Sequence, residues 1–163
     1  MESRSVQDSV LPPFQLLLDD HGRDVHRFLS AIVGPHDADD VYQETWIAAL
    51  RAYPRLQNAA NLRGWLLTIA HRKAIDQIRA RKRNPVPVEE LPQTTVVDQH
   101  QDPAVWRLVR ELPDKQRTSV ALRYALDLDY AAIGQAMGTS EEAARRNVHE
   151  GLKRLRVEYA DES

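Results

Sequence analysis

Cysteine is absent from this 163-residue chain. Neither a disulfide framework nor a thiolate metal site can form from it. Aromatic residues are scarce at 6%, with three Trp, five Tyr and two Phe. No uninterrupted apolar run approaches the roughly 20 residues of a membrane-crossing helix. The opening stretch, MESRSVQDSVLPPF, lacks the charged-then-apolar layout of a secretion signal. These absences predict a soluble cytoplasmic protein with no membrane insertion. Catalytic signatures are missing too. There is no H-E-x-x-H pair, no Gly-rich phosphate loop and no nucleophile elbow. His21 and His26 lie five residues apart, an awkward offset for one helical face. No catalytic residue, metal ligand or cofactor is therefore expected, and the chain does not read as an enzyme.

Net charge is only −2, mild for a chain that would hold nucleic acid unaided. Its distribution says more. Residues 62–84 carry seven basic side chains against Asp76, a balance of +6. Residues 145–156 carry five against Glu150, a balance of +4. Residues 34–50 carry Asp37, Asp39, Asp40 and Glu44 with no Lys or Arg, a balance of −4. Two basic patches and one acidic patch imply two nucleic-acid surfaces and a third surface for another partner.

Every periodic segment is helical, and no alternating strand pattern occurs. Pro12 and Pro13 open a first helix, with Phe14, Leu17 and Leu18 on its apolar face and Gly22 expected to interrupt it. Asp37 is the expected N-cap of a second helix running to about Tyr53. Val41, Tyr42, Thr45, Trp46, Ala49, Leu50 and Tyr53 form its buried face. Asp40, Gln43 and Glu44 share an outer strip, since three- and four-residue spacings are neighbours on a helix. After a Pro54 break and an amide-rich loop, a long helix covers about 62–81. Leu67, Ala70, Ala74 and Ile78 form its stripe, Arg72, Asp76 and Arg79 face away, and Trp65 reads as core. Residues 84–101, with three prolines, read as a fairly extended linker. Asp102 and Pro103 start the second half as N-cap and first-turn proline. Val120, Ala121 or Leu122, and Tyr124 carry its apolar face to a turn near Asp127.

Residues 129–156 then form a helix-turn-helix. Tyr130, Ile133 and Met137 mark one apolar face, and Gly138 permits a left-handed exit. Ser140 fits an N-cap, and Glu141 and Glu142 suit the positive end of the next helix. Ala144, Val148, Leu152 and Leu155 face inward, while Arg145, Arg146, Asn147 and His149 point largely elsewhere. Such a helix suits a DNA major groove.

Taken in order, these segments resemble a bacterial RNA polymerase sigma factor of the extracytoplasmic-function group. DADDVYQETWIAAL looks like that family's acidic Asp-x-x-Gln-Glu helix. NLRGWLLTIAHRKAIDQIRARKR looks like its Trp-Leu-x-x-Ile-Ala helix with a basic end. LPDKQRTSVALRY looks like its Leu-Pro-x-x-x-Arg opening, and the helix-turn-helix completes the set. The resemblance implies an all-α fold of two small helical domains joined by a proline-rich linker. These would be a sigma-2-like bundle over residues 1–83, the linker over 84–101, and a sigma-4-like helix-turn-helix domain over 102–163. It implies core RNA polymerase and promoter DNA as partners, the DNA both as duplex and as melted single strand. An anti-sigma factor is the family's frequent regulator.

By the same resemblance, Asp40, Gln43 and Glu44 grip the polymerase. Sigma-2 opens and reads the minus-ten element. Unstacked bases need an amide-rich pocket and a cationic track, which Asn58, Asn61, Arg63, Arg72, Lys73 and Arg79 supply. Sigma-4 reads the minus-thirty-five element through Ser140, Arg145, Arg146, Asn147, His149 and Lys153. Arg and Asn suit bidentate contacts with guanine and adenine edges. Glu89, Glu90 and Asp98 could mimic a nucleic-acid strand within the linker. Two positions depart from the family pattern. Arg72 stands where Asn is frequent, and the usual Val-Lys-Ser-Arg run is replaced by Ala144-Arg145-Arg146-Asn147 followed by Glu150. Promoter preference is therefore not transferable from a relative. A stand-alone helix-turn-helix regulator would use the same C-terminal helix but leave the acidic strip and the amide loop without a role.

Overall fold

The computed structural model describes residues 11–85 and 103–162. Seven α-helices are found among them: α1 (Phe14–Val33), α2 (Pro35–Ala52), α3 (Leu62–Arg83), α4 (Pro103–Arg110), α5 (Asp114–Ala125), α6 (Tyr130–Met137) and α7 (Glu141–Glu162). A 3-10 turn, Tyr53–Arg55, follows α2. The described residues contain no strand, in keeping with the all-α expectation. Linker acids Glu89, Glu90 and Asp98, and the expected cap Asp102, lie outside the described residues.

Helices α1, α2 and α3 pack on one another and bury Leu17, Val25, Phe28, Leu29, Ile32, Val41, Leu66 and Leu67. Half of the ten aromatic side chains gather at one end of this bundle. Phe14 meets Trp46 and Tyr53 edge-on at 5.7 and 5.2 Å, Tyr42 meets Trp46 at 6.1 Å, and Tyr53 meets Trp65 at 6.0 Å. Edge-to-face geometry sets the positive ring rim against the negative ring face, adding about 0.5–1.5 kcal/mol per pair beyond burial. The Tyr53 hydroxyl donates to the carbonyl of Pro12, which ties the chain before α1 to the end of α2. Trp65 is half-buried and packs on this core, as expected.

In the second half, α7 is the axis. Helices α4, α5 and α6 all pack against it. Leu108, Val109, Leu112, Val120 and Leu155 form a small core of their own. The two halves are not separate bodies. α3 packs on α6, and α1 packs on α5 and α4. Ala121, Leu122, Leu126, Leu128 and Ile133 join the same continuous core as Leu17 and Phe28. Arg117, only 7% exposed, bridges the halves. Its guanidinium donates to the Leu112 carbonyl at 3.2 and 3.4 Å and to the Ile32 carbonyl at 3.5 Å.

Four local expectations change. Gly22 does not interrupt α1; it is buried, and a methyl there would stand 3.0 Å from the Tyr42 hydroxyl, so it sets the spacing of α1 and α2. Asp37 is not the cap of α2. The helix begins at Pro35 with Gly34 at φ +88° before it, and Asp37 sits inside the first turn. There Asp37 takes both arms of Arg81, Nη2 to Oδ1 at 2.5 Å and Nε to Oδ2 at 3.1 Å. Leu50 and Tyr124, expected inside, are 56% and 52% exposed.

Candidate nucleic-acid interface

The helix-turn-helix is built by two caps, one left-handed glycine and one close approach. Asp129 Oδ1 accepts from the Ala132 N–H at 2.8 Å and starts α6. Gly138 ends it at φ +71°, in the left-handed region where a Cβ is unfavourable. Ser140 Oγ accepts from the Ala143 N–H at 3.0 Å and starts α7, with Glu141 and Glu142 in its first turn. Gly134 fixes the crossing. A methyl there would stand 2.7 Å from the Thr139 carbonyl oxygen, and the Thr139 N–H itself donates to the Gly134 carbonyl at 2.9 Å.

Ala144, Val148, Gly151 and Leu155 are buried, which orients the rest of α7. At 3.6 residues per turn, Arg146, His149 and Lys153 share the outward side, and all three are exposed. Glu142 and Glu150 share it as well, so the outward face is mixed in sign. Arg145 and Asn147 lie on opposite flanks, and Asn147 is half-buried. Arg145 is exposed but not loose. It pairs with Glu141 at 3.4 Å and lies over the Tyr130 ring at 5.1 Å, a ring that Arg123 also covers at 5.0 Å. Ser140 spends an acceptor on its cap and keeps its hydroxyl hydrogen for another partner.

The expected minus-ten residues divide into two groups. Asn58 Oδ1 accepts from the Ala60 N–H at 3.2 Å, a local turn bond. Asn61 caps α3, with Oδ1 accepting from the Gly64 N–H at 3.0 Å, while its Nδ2 donates to Gln135 Oε1 on α6 at 3.0 Å. Arg63 pairs with Asp24 at 2.9 Å and reaches the Leu126 carbonyl at 3.4 Å. Asn61 and Arg63 thus hold the first half to the second. Arg72 and Arg79 are exposed and share a strip with Trp65, Ile69 and Asp76, at spacings of three, four and seven. Lys73 lies to the side of that strip, half-buried. His71 lies on the other flank of the strip, half-buried, with Nδ1 unpartnered among the described residues. Burial pushes its pKa below the usual value, Arg72 and Arg79 push the same way, and Asp114 opposes them.

On α2, Asp40, Gln43 and Glu44 are exposed neighbours. The same strip continues into Ile47, 51% exposed, with Leu50 on its flank. The sequence reading passed over Ile47 and turned Leu50 inward. The signal was available, because Ile47 follows Gln43 by four residues and Glu44 by three. Large aliphatic side chains beside an acidic strip give this side of α2 an apolar centre and a charged rim, the composition that protein interfaces share.

Among the described residues, no group of three His, Asp or Glu is placed to hold a metal ion. None of the described helices is long and apolar enough to cross a membrane.

Comparison with known proteins adds the following. The family description "Sigma-70 region 2" matches residues 17–84, and "Sigma-70, region 4" matches residues 103–155. The chain is 33% identical over 138 residues to the ECF RNA polymerase sigma factor ShbA of Streptomyces griseus, covering 75% of this chain and 71% of that one. It is 26% identical over 149 residues to the RNA polymerase sigma factor SigV of Bacillus subtilis, covering 89% and 90%. Its fold is similar to that of the sigma factor RpoE of Bartonella quintana, solved in complex with the anti-sigma factor NepR. That likeness has a TM-score of 0.70 at 23% identity and covers 87% of this chain and 93% of the other. CnrH, solved with the cytosolic domain of CnrY, gives 0.68 at 19% identity, covering 92% and 89%.

Proposed function

Because this chain belongs to the extracytoplasmic-function group of RNA polymerase sigma factors, which direct promoter-specific transcription initiation, we propose that its three exposed faces divide that work. The strip of Asp40, Gln43 and Glu44, with Ile47 at its centre and Leu50 on its flank, docks on core RNA polymerase. The α7 face of Arg146, His149 and Lys153, flanked by Arg145 and Asn147, reads the minus-thirty-five element as duplex. Ser140 and Lys153 meet phosphates at its ends. Asn58, Asn61, Arg63, Arg72, Lys73 and Arg79 receive the melted minus-ten strand, the amides contacting bases and the cations its backbone.

The observation that carries this reading is a pair of exposed faces of different chemistry, one on α7 that sets Arg146, His149 and Lys153 among Glu142 and Glu150, and one on α2 that is acidic with an apolar centre. A duplex-binding regulator acting alone would have no use for the second.

The reading requires the halves to part. Elements named for positions ten and thirty-five lie about 25 base pairs apart, or about 85 Å along B-form duplex. Here Asn61 and Gln135 are in direct contact at 3.0 Å. The 18 residues from 84 to 101 reach at most about 60 Å when extended, a span of the right order once the two halves add their own width. The packed arrangement is then a state that promoter binding replaces. An anti-sigma factor favouring that arrangement is the regulator this reading admits; the sigma factor RpoE of Bartonella quintana was solved in complex with an anti-sigma factor, NepR.

The test combines purified chain with core polymerase and a genome-wide promoter pool. Transcripts starting at a defined sequence class are expected, and they should disappear with Arg146→Ala. If core binding and initiation are both absent, the reading fails. Tight sequence-specific duplex binding without polymerase would favour the stand-alone regulator.

A further inference from the structure

A cleft of about 290 Å³ opens where the two halves meet, among the C-terminal parts of α1 and α3, the first turn of α2, α4 and α5. Its charged and amide lining is Asp37, Gln77, Arg81, Lys82, Arg110 and Arg117. Asp37 is the one carboxylate in that lining, and it is already spent on both arms of Arg81. Lys82, Arg110 and Arg117 remain, with three positive charges. Arg117 is buried and satisfied by two carbonyls rather than by a carboxylate, with some electrostatic support from Asp114. Arg110 is half-buried against Gly34, and among the described residues it forms no ion pair. Burial, then Arg107, then Arg117 hold its pKa below the usual arginine range. Buried cations are normally paired, because an unpaired one loses its hydration without compensation. α2 also begins at this cleft with no side-chain cap, and its one first-turn acid, Asp37, is shared with Arg81.

We propose that this cleft binds a small, multiply charged phosphate-class anion, held by Arg110 and Lys82 above the fixed charge of Arg117. The volume lies at the lower end of ligand pockets, which suits pyrophosphate or a single phosphate group better than a whole nucleotide. A guanidinium meets two phosphate oxygens at once, the geometry that makes arginine a phosphate ligand. The walls come from both halves, so the anion favours their packed arrangement over the parted one. The inference is independent of which promoter residues are read.

The test is calorimetric titration of the full chain with sodium pyrophosphate, with chloride at matched ionic strength as the blank. Saturable one-site binding at about 1 mM or tighter is expected, with a rise in Tm. Arg110→Gln should weaken it about tenfold or more, and Arg110→Lys less, because the charge survives without the planar fork. Lys82→Gln, at an exposed position safe for folding, should weaken it by a few-fold. Arg55→Gln, exposed on the 3-10 turn, should leave it unchanged. Displacement of pyrophosphate by an oligonucleotide would assign the site to a nucleic-acid backbone; persistence of binding would assign it to a free anion. An effect that follows ionic strength alone, or that is equal in wild type, Arg110→Gln and Lys82→Gln, overturns the proposal.

Discussion

Replacing Gly134 by alanine tests whether the crossing of α6 and α7 is set by backbone contact. The new methyl would stand 2.7 Å from the Thr139 oxygen, 3.1 Å from the Ser140 oxygen and 3.2 Å from the Ser140 carbonyl carbon. Relaxed carbon–oxygen contacts fall at about 3.3–3.6 Å, so the turn must retreat by about 0.6 Å or more. It cannot retreat freely, because the Thr139 N–H is bonded to the Gly134 carbonyl at 2.9 Å. Overpacking of this kind costs about 1–3 kcal/mol. A weakened turn bond adds about 1 kcal/mol. The helix propensity of alanine returns about 1 kcal/mol. The net is a destabilisation of about 1–3 kcal/mol, or a fall in Tm of about 4–8 °C at the middle of that range.

Gly138→Ala is the companion. Nothing lies within 4 Å of its Cβ position, and φ is +71°, so its cost is backbone strain of about 1–2 kcal/mol with α7 left in place. Urea unfolding should show both losses. Affinity of the holoenzyme for minus-thirty-five duplex should fall for Gly134→Ala beyond what Gly138→Ala produces. If Gly134→Ala is as stable as wild type, propensity outweighs the contact and the argument is wrong.

Three further tests probe other sites. Reversing two charges on α2, Asp40→Lys with Glu44→Lys, should slow association with core polymerase about tenfold at low salt while leaving the circular dichroism unchanged; an unaltered affinity would refute the placement of that surface. Asn61→Ala should cost about 1 kcal/mol through the lost cap of α3, whereas Asn61→Asp keeps the cap and loses only the Gln135 contact, so thermal unfolding should separate the two. His71 has a folded pKa below its unfolded value, so the unfolded chain binds more protons near that value. Stability is therefore full above about pH 6.5 and declines as pH falls below it. Unfolding free energies measured from pH 7.5 to 5 should slope accordingly, and His71→Gln should flatten that slope; an unchanged slope would acquit His71.

The helices and the recognition turn were legible because their signals are local. Gly138 and Ser140 announce a break and a restart, and Ala144, Val148 and Leu155 announce which side of α7 turns inward. The misreadings share one cause. Helical spacing identifies an apolar face without naming what covers it. Leu50 and Tyr124 fit their apolar stripes by spacing and still remain at the surface. Gly22 looked like a breaker because glycine is a poor helix former, but the approach of Tyr42 from α2 gives it a packing role. Asp37 looked like a cap because a first-turn acid often is one, and its partner Arg81 stands 44 residues away. The packing of the halves was equally illegible. Arg117 reaching the Ile32 carbonyl and Asn61 reaching Gln135 join positions 85 and 74 residues apart, with no periodic trace.

That packing changes how the minus-ten candidates should be tested. Asn61 caps a helix and bonds α6, and Arg63 pairs with Asp24 and bonds the second half. Loss of promoter opening on mutating either one would mix an altered balance between packed and parted halves with a lost DNA contact, and for Asn61 a weakened helix start as well. Arg72 and Arg79 carry no such duties. Both are exposed on one strip of α3, and neither is in an ion pair with a carboxylate among the described residues. Their nearest charge consequence is relief of His71, whose protonation they oppose. Arg72→Ala and Arg79→Ala should therefore leave unfolding nearly unchanged at neutral pH. They should weaken capture of a melted minus-ten strand and lower its salt dependence by roughly one counterion each. If strand capture keeps its salt slope in both variants, the cationic track lies elsewhere on the first half, and the position where Arg72 departs from the family pattern has no part in reading the promoter.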